Sequence, residues 1–216
     1  MLDERAQEVF TEIYEKRLWG DLETVSGAGS TPNYTEELRV QLPMILNGLD
    51  GVNTLFDAPC GDWAWMKLIR KDIQAMYIGA DVVKDLVNKN TIKYSDSRTR
   101  FVHLDLIEDD WPMADVVFNR DCLFHIPYKQ TKKILENYIK SKAKYLISTT
   151  HGKTIKNTDV IMGGFKMINL LDKPYSFGMP LVWIKDYREP WPERYLGVWR
   201  RDQIISALAA GGFDSR

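Results

Sequence analysis

Apolar and polar positions along this chain follow two periods, and the switches between them lay out its elements. Between residues 3 and 18, Ala6, Val9, Phe10, Ile13, Tyr14 and Leu18 recur at helical spacing, predicting an amphipathic opening helix that stops at Trp19-Gly20. The stretch Ser26–Pro32 is turn-forming. A second helix is expected from about Tyr34 to Leu46, with Thr35 as its candidate cap. Short runs of branched and aromatic residues then recur at Thr54–Ala58, Ala75–Asp81, Phe101–Leu106, Asp115–Asn119 and Tyr145–Thr150. They are continuous rather than alternating, as strands covered on both faces require. Helix-compatible stretches separate most of them: Trp63–Ile69, Val83–Asn90 and Lys129–Lys140.

Strands alternating with helices predict an α/β fold: a Rossmann-like, doubly wound, mainly parallel sheet in a three-layer αβα sandwich. Residues 151–200 differ, with Gly163-Gly164, four prolines and scattered aromatics. Within them Leu181–Lys185 and Tyr195–Trp199 predict a late antiparallel hairpin, joined through Arg188–Glu193. A last helix, about Arg201–Ala210, ends at Gly211-Gly212. The organisation expected is one domain over 1–216: a helical N-terminal segment and cofactor lid (1–49), a cofactor-binding core (50–150), a substrate-side elaboration (151–200) and a C-terminal helix (201–216).

Composition narrows the classes. The 216 residues carry 29 Lys and Arg against 30 Asp and Glu, a net charge of -1, so the basic excess of a phosphate-binding protein is missing. Lys129, Lys132, Lys133, Lys140, Lys142 and Lys144 cluster, and read best as a solvated helix face. Cys60 and Cys122 are too few for a disulfide framework and suit reduced thiols. No apolar run is long enough to span a membrane, and the charged start Met1–Arg5 lacks a signal core. A soluble, cytoplasmic protein is expected.

The candidate chemistry lies where the apolar runs stop, because open α/β sheets bind ligands beyond the carboxyl ends of their strands. Asp57, Asp81 and Asp105 end the first three runs at intervals of 24 residues, one strand-helix-strand unit each, and Asn119-Arg120-Asp121 follows the fourth. Gly61 lets backbone approach a ligand closely. Asp81 is placed to accept from ribose hydroxyls and Asp105 from an adenine amine, with Leu106 against the ring. The turn has one glycine and two carboxylates, Asp57 and Asp62. These would repel a pyrophosphate but suit an amino group and a sulfonium, which favours S-adenosylmethionine over a dinucleotide.

At these residues the chain resembles the class I S-adenosylmethionine-dependent methyltransferases over about residues 50–150. The Asp57–Gly61 turn stands for the family's first motif as Asp-Ala-Pro-Cys-Gly-Asp-Trp. Tyr77–Asp81 matches the ribose-binding strand end, His103–Leu106 the adenine-binding one, and Asp115–His125 the fourth-strand segment facing the methyl donor. More narrowly it resembles a branch of small bacterial and viral methyltransferases sharing the Pro-Cys-Gly-Asp-Trp turn. The resemblance implies cofactor contacts from Asp57, Ala58, Pro59, Gly61, Trp63, Asp81, Val82, Asp105, Leu106 and Arg120. Pro59 replaces a family glycine, fixing backbone and removing a donor, with Trp63 packing near the methionine end. The 26–31 loop is expected to fold over the cofactor.

For the reacting end, the proline pair of amino-base methyltransferases is missing after the fourth strand: Asn119-Arg120-Asp121-Cys122 stands there. A hydroxyl acceptor benefits from a base, and the candidates are Asp121, His125 and His151; His103 reads as structural. No metal-ligand spacing stands out, and no metal is expected. Asn157, Asp159 and Asn169 could hydrogen-bond a sugar. Phe165, Tyr175, Phe177, Trp183, Trp191 and Trp199 could stack on one, although a secondary core suits most of these six better. The expectation is O-methylation of a sugar or other small hydroxylated acceptor, a glycan included. A nucleic-acid-modifying enzyme and a non-catalytic cofactor-binding module are the alternatives.

Overall fold

A computed structural model describes residues 5–153, 156–189 and 192–213. The chain runs α1 (Ala6–Glu15), α2 (Glu36–Gly48), β1 (Thr54–Asp57), β2 (Met76–Asp81), α3 (Lys84–Tyr94), β3 (Thr99–His103), β4 (Val116–Asn119), α4 (Tyr128–Ser141), β5 (Tyr145–Thr150), β6 (Val182–Lys185), β7 (Tyr195–Arg200) and α5 (Arg201–Ala209). One seven-stranded sheet has the order β3-β2-β1-β4-β5-β7-β6. Strands β1 to β5 pair in parallel, while β7 runs antiparallel to β5 and to β6. The order reverses between β1 and β4, the point where doubly wound sheets open a crevice.

The pleat sorts the core into two layers, since successive side chains point to opposite faces. Phe56, Ile78, Val117 and Leu146 join Ile134, Leu135 and Tyr138 of α4 and Ile204 of α5. Their neighbours Leu55, Tyr77, Val116 and Ile147 join Leu38, Leu42 and Leu46 of α2 and Val87 of α3. Helices therefore cover both faces, and both sets of side chains are almost fully buried. This is the expected αβα sandwich, hairpin included.

The structure departs from expectation in local places. Trp63–Ile69 forms no α-helix; one short 3-10 turn, Met66–Leu68, stands there, and a second, Arg70–Asp72, follows it. Trp63 has φ +60, a left-handed conformation that a right-handed helix cannot absorb. The third strand ends at His103, two residues short of Asp105. Thr35 precedes α2, but its hydroxyl donates back to the Thr31 carbonyl at 2.9 Å instead of accepting from the helix. The opening helix starts at Ala6, and its expected first residues, Asp3 and Glu4, lie outside the described residues.

Of the expected basic face, Lys133 pairs with Glu108 at 2.8 Å and Lys144 donates to the Gly51 carbonyl at 2.7 Å. Among the described residues, no helix is long and apolar enough to cross a membrane.

Candidate functional site

A cavity of about 160 Å3 opens at the carboxyl ends of β1, β2 and β4. Its wall includes Asp57, Pro59, Gly61, Trp63, Asp81, Val82, Asp105, Leu106, Arg120, Asp121 and His125. Residues chosen from separate strand ends are thus brought to one place by the topology. Ala58 is the exception: it is fully buried behind the wall. Its amide donates to the Phe118 carbonyl at 2.9 Å and its carbonyl accepts from Asn119 Nδ2 at 2.7 Å, tying the end of β1 to β4. Ala58 joins strands; it does not face the cavity.

The first turn has two acids with different tasks. Asp57 is 3% exposed, and its Oδ2 accepts the Tyr77 hydroxyl. Burial pushes its carboxyl up to about 7, against the smaller opposing effects of that hydrogen bond and of Arg120. Asp62 instead holds the N-terminal segment. Its Oδ2 accepts from Thr24 Oγ1 at 2.8 Å and from the Val25 amide at 2.9 Å, and its Oδ1 from Ser26 Oγ at 3.1 Å. Asp62 also lines the cavity, but its two carboxylate oxygens are already engaged by residues 24–26. Gly61 is required here for a related reason. It has φ +57, and a Cβ would stand 2.5 Å from Ser26 Oγ, so the missing side chain makes room for the N-terminal segment.

Trp63 reaches the cavity but is 5% exposed, its ring packed against Tyr77, Tyr94 and Phe101. Across the turn, Asp81 accepts from the Gly61 amide at 3.1 Å and the Val83 amide at 3.0 Å. Burial raises its pKa, while those amides oppose the rise. Asp105 heads a tight turn after β3, accepting from the Ile107 amide at 2.8 Å. Trp111 Nε1 and Asn137 Nδ2 both donate to the Leu106 carbonyl, at 3.1 and 3.0 Å, and so fix Leu106 on the apolar wall with Leu104 and Ile107.

Beyond β4 lies a buried charge cluster that sequence reasoning half found. Arg120 donates from Nε and Nη2 to the two carboxylate oxygens of Asp186, each at 2.9 Å, and from Nη2 to the Gly29 carbonyl at 2.7 Å. It is thus a second anchor of the N-terminal segment. Asp121 lies 3.3 Å from Arg120 Nη1 and 3.0 Å from Arg194 Nη2, and Thr149 Oγ1 donates to its Oδ1 at 3.2 Å. Burial alone would raise the Asp121 pKa, but the two guanidiniums overcome it and hold the carboxyl below its ordinary value. Both guanidiniums and the Thr149 hydroxyl engage this carboxylate, so the expected proton-acceptor role does not fit Asp121. Asp121 has φ +53, a strained conformation that this cluster maintains.

The two histidines separate. His125 lines the cavity, with Nδ1 2.5 Å from the Gly164 carbonyl; a carbonyl can only accept, so Nδ1 carries the proton and Nε2 keeps its lone pair. Burial lowers its pKa to about 4, so the ring is neutral. Trp19 stacks on it, centroids 4.2 Å apart and planes 22° from parallel. His151 is 3% exposed and faces a different crevice, with Lys153, Met167, Tyr187 and Glu193. The ring of Phe124 stands beside it, at 5.7 Å. His151 is not brought to the cavity that holds Asp121 and His125. His103 Nε2 lies 2.9 Å from the Val82 carbonyl, a structural contact as expected.

The residues expected to hold a sugar are committed elsewhere. Asn157 Nδ2 donates to the Asn169 and Lys173 carbonyls, each at 2.8 Å, and Asp159 accepts from the Tyr128 amide at the start of α4. Asn169 Oδ1 accepts from the Leu171 amide at 3.0 Å. Tyr175, Phe177 and Trp199 form no separate core; they are buried in the same layer as Phe56, Leu146 and α4. Trp183 lies on the sheet edge, and Trp191 is outside the described residues. Phe165 alone of the six is exposed close to His125, with ring centroids 6.1 Å apart. Among the described residues no three His, Cys, Asp or Glu meet as a metal-ligand set.

Sequence reasoning missed Trp19, Phe10 and Ile13, which line the cavity from the N-terminal segment, and Asp186 and Arg194, which hold Arg120 and Asp121. Helical spacing gave Phe10 and Ile13 as a buried stripe without saying what they cover, and Trp19 only as the place where the helix stops. Nothing local in the sequence marks Asp186, which meets Arg120 from 66 positions away.

No family model matches the chain, and no curated protein does. Solved structures do. Magnesium protoporphyrin IX methyltransferase from Synechocystis PCC 6803, with bound S-adenosylhomocysteine, superposes with a TM-score of 0.62 at 12% identity, covering 91% of this chain and 100% of that one. A S-adenosylmethionine-dependent methyltransferase of Leishmania major gives 0.65 at 10% identity, covering 90% and 81%. The 1,6-didemethyltoxoflavin-N1-methyltransferase of Burkholderia thailandensis gives 0.59 at 13%, covering 90% and 86%. At such identities the likeness establishes the Rossmann-like methyltransferase fold of this chain.

Proposed function

We propose that this protein is a S-adenosylmethionine-dependent methyltransferase acting on a hydroxyl of a small molecule. One observation carries the reading: Asp57, Asp81 and Asp105, from three consecutive strand ends, line a single cavity that also presents the neutral imidazole of His125. The donor set fits the ligand. Carboxylates and apolar side chains dominate it, and the one turn glycine faces the lid, so it offers no cradle of amides for a pyrophosphate. Two of the neighbours named above bear the names of small-molecule methyltransferases, which supports a small acceptor.

In this reading S-adenosylmethionine supplies an electrophilic methyl group on a sulfonium. Asp81 accepts from the ribose hydroxyls, and Asp105 from the adenine amine with Leu106 against the ring. Asp57 faces the positive charge of the methionine end, beside Pro59, Gly61 and Trp63, and Val82 completes the ribose wall. Arg120 and Asp62 keep the 24–30 segment closed, which excludes water from the reacting centre. His125 Nε2 takes the acceptor proton, while Gly164 fixes the tautomer. Asp121 sets the field around that imidazole and is not the base.

The Pro-Cys-Gly-Asp-Trp turn supports the narrower branch of small methyltransferases. Cys60 and Cys122, both free thiols, support a cytoplasmic setting. A sugar acceptor has lost the polar residues expected to bind it.

The test is a panel of hydroxylated acceptors incubated with methyl-labelled S-adenosylmethionine. Label transfer that His125→Ala suppresses supports the reading. Tight cofactor binding without transfer to any acceptor would instead indicate a non-catalytic module.

A further inference from the structure

The surroundings of His125 define what can reach it. Trp19 lies flat against the imidazole, Phe10 meets Trp19 at 5.8 Å, and Phe165 tilts toward His125 at 6.1 Å while remaining 63% exposed. The loop bearing Phe165 is held by backbone: the Gly163 amide donates to the His125 carbonyl at 2.9 Å and the Lys166 amide to the Phe124 carbonyl at 3.1 Å. Phe165 is therefore fixed beside the base with one face open to solvent, and Ile161 and Met167 of the same loop are exposed too. A fixed, exposed apolar patch beside His125, which lines the cavity, marks a binding surface.

Charge selects further. Among the described residues lining the cavity, five are aspartates and one, Arg120, is a lysine or arginine. Arg120 is already paired with Asp186 and with the Gly29 carbonyl. Among the described lining residues no cation is left for a phosphate or carboxylate on the acceptor.

We propose that the acceptor is an uncharged planar aromatic carrying a phenolic hydroxyl, its ring on Phe165 and its hydroxyl at His125 Nε2. This rests on the methyl-transfer reading for the donor's place. The phenolic O–H proton passes to His125 Nε2, and the oxygen pair forms a bond to the methyl carbon. The methyl–sulfur bonding pair stays on sulfur, and the imidazolium then releases its proton to solvent. The net reaction converts phenol and S-adenosylmethionine to aryl methyl ether, S-adenosylhomocysteine and a proton. A phenol, with a pKa of about 10, gives its proton to a neutral imidazole far more readily than an aliphatic hydroxyl, nearer the value of about 15.7 for water.

The experiment titrates 2-naphthol, 6-hydroxy-2-naphthoate and methyl glucoside into the protein, with and without S-adenosylhomocysteine, following tryptophan fluorescence and heat. The expected result is 2-naphthol binding about tenfold or more tighter than its carboxylated analogue, no glucoside binding, and about a fivefold loss in Phe165→Ala. Tighter binding of the glucoside or the carboxylate, or a 2-naphthol affinity that Phe165→Ala leaves unchanged, overturns the proposal. If S-adenosylhomocysteine fails to bind while 2-naphthol binds in a Phe165-dependent way, the methyl-transfer reading falls and the aromatic site stands.

Discussion

Asp57 gives the account a pH signature. Burial holds its carboxyl up to about 7. The native state therefore keeps a proton that the unfolded chain gives up in the ordinary carboxylate range. That contribution to stability is full at low pH and is lost as pH rises through about 7. A cationic ligand beside Asp57 has the opposite preference and binds the ionised form. The ionised fraction is about 0.09 at pH 6 and about 0.76 at pH 7.5, a ratio of roughly eight, or about 1.2 kcal/mol. Calorimetry should show S-adenosylmethionine binding about eightfold tighter at pH 7.5 than at pH 6. Near pH 6, repeating the titration in buffers of different ionisation enthalpy should show close to one proton released on binding. Asp57→Asn should flatten the pH dependence and abolish the release. Equal affinity at both pH values, with no proton released by the unaltered protein, would refute the placement of Asp57 against the ligand's charge.

Other perturbations follow from the same geometry. Asp62→Ala removes three lid hydrogen bonds, together about 3 kcal/mol. Exchange of the Ser30 and Thr31 amides, which bond within the lid, should quicken by about 100-fold, and unchanged protection would show that Asp62 does not hold the segment. Asp186→Asn leaves Arg120 and Arg194 without their shared carboxylate. A cost of about 3–5 kcal/mol should lower Tm by about 10 °C, read by calorimetric melting; a change of a degree or less would deny the cluster its structural role. His125→Gln should reduce kcat by about 100-fold or more. The kcat of the unaltered enzyme should show no histidine ionisation between pH 5.5 and 8, because His125 titrates near 4.

The sheet was legible because parallel strands buried on both faces leave continuous apolar runs; β5 begins at Tyr145 and ends at Thr150, as its run does. The strand-end acids were legible for a topological reason: one crossover unit separates Asp57 from Asp81 and Asp81 from Asp105, so all three reach one edge. What failed depended on contacts distant in sequence. Asp62 resembled a ligand acid until Thr24, Val25 and Ser26 were seen to occupy it. The Trp63–Ile69 stretch has helical spacing, yet Trp63 at φ +60 packs its ring among Tyr77, Tyr94 and Phe101 and ends any helix there. Asp121 and His151 followed strands as a base should, but Arg194, arriving from the hairpin, claims the first, and the second opens on another crevice.

The most direct measurement is calorimetric titration of S-adenosylmethionine into the unaltered protein and into Asp81→Ala. Saturable one-to-one binding is expected, weakening by about 30-fold or more in the variant, which lacks the buried carboxylate proposed to accept from two ribose hydroxyls. No binding to the unaltered protein, or equal affinity in the variant, would contradict it.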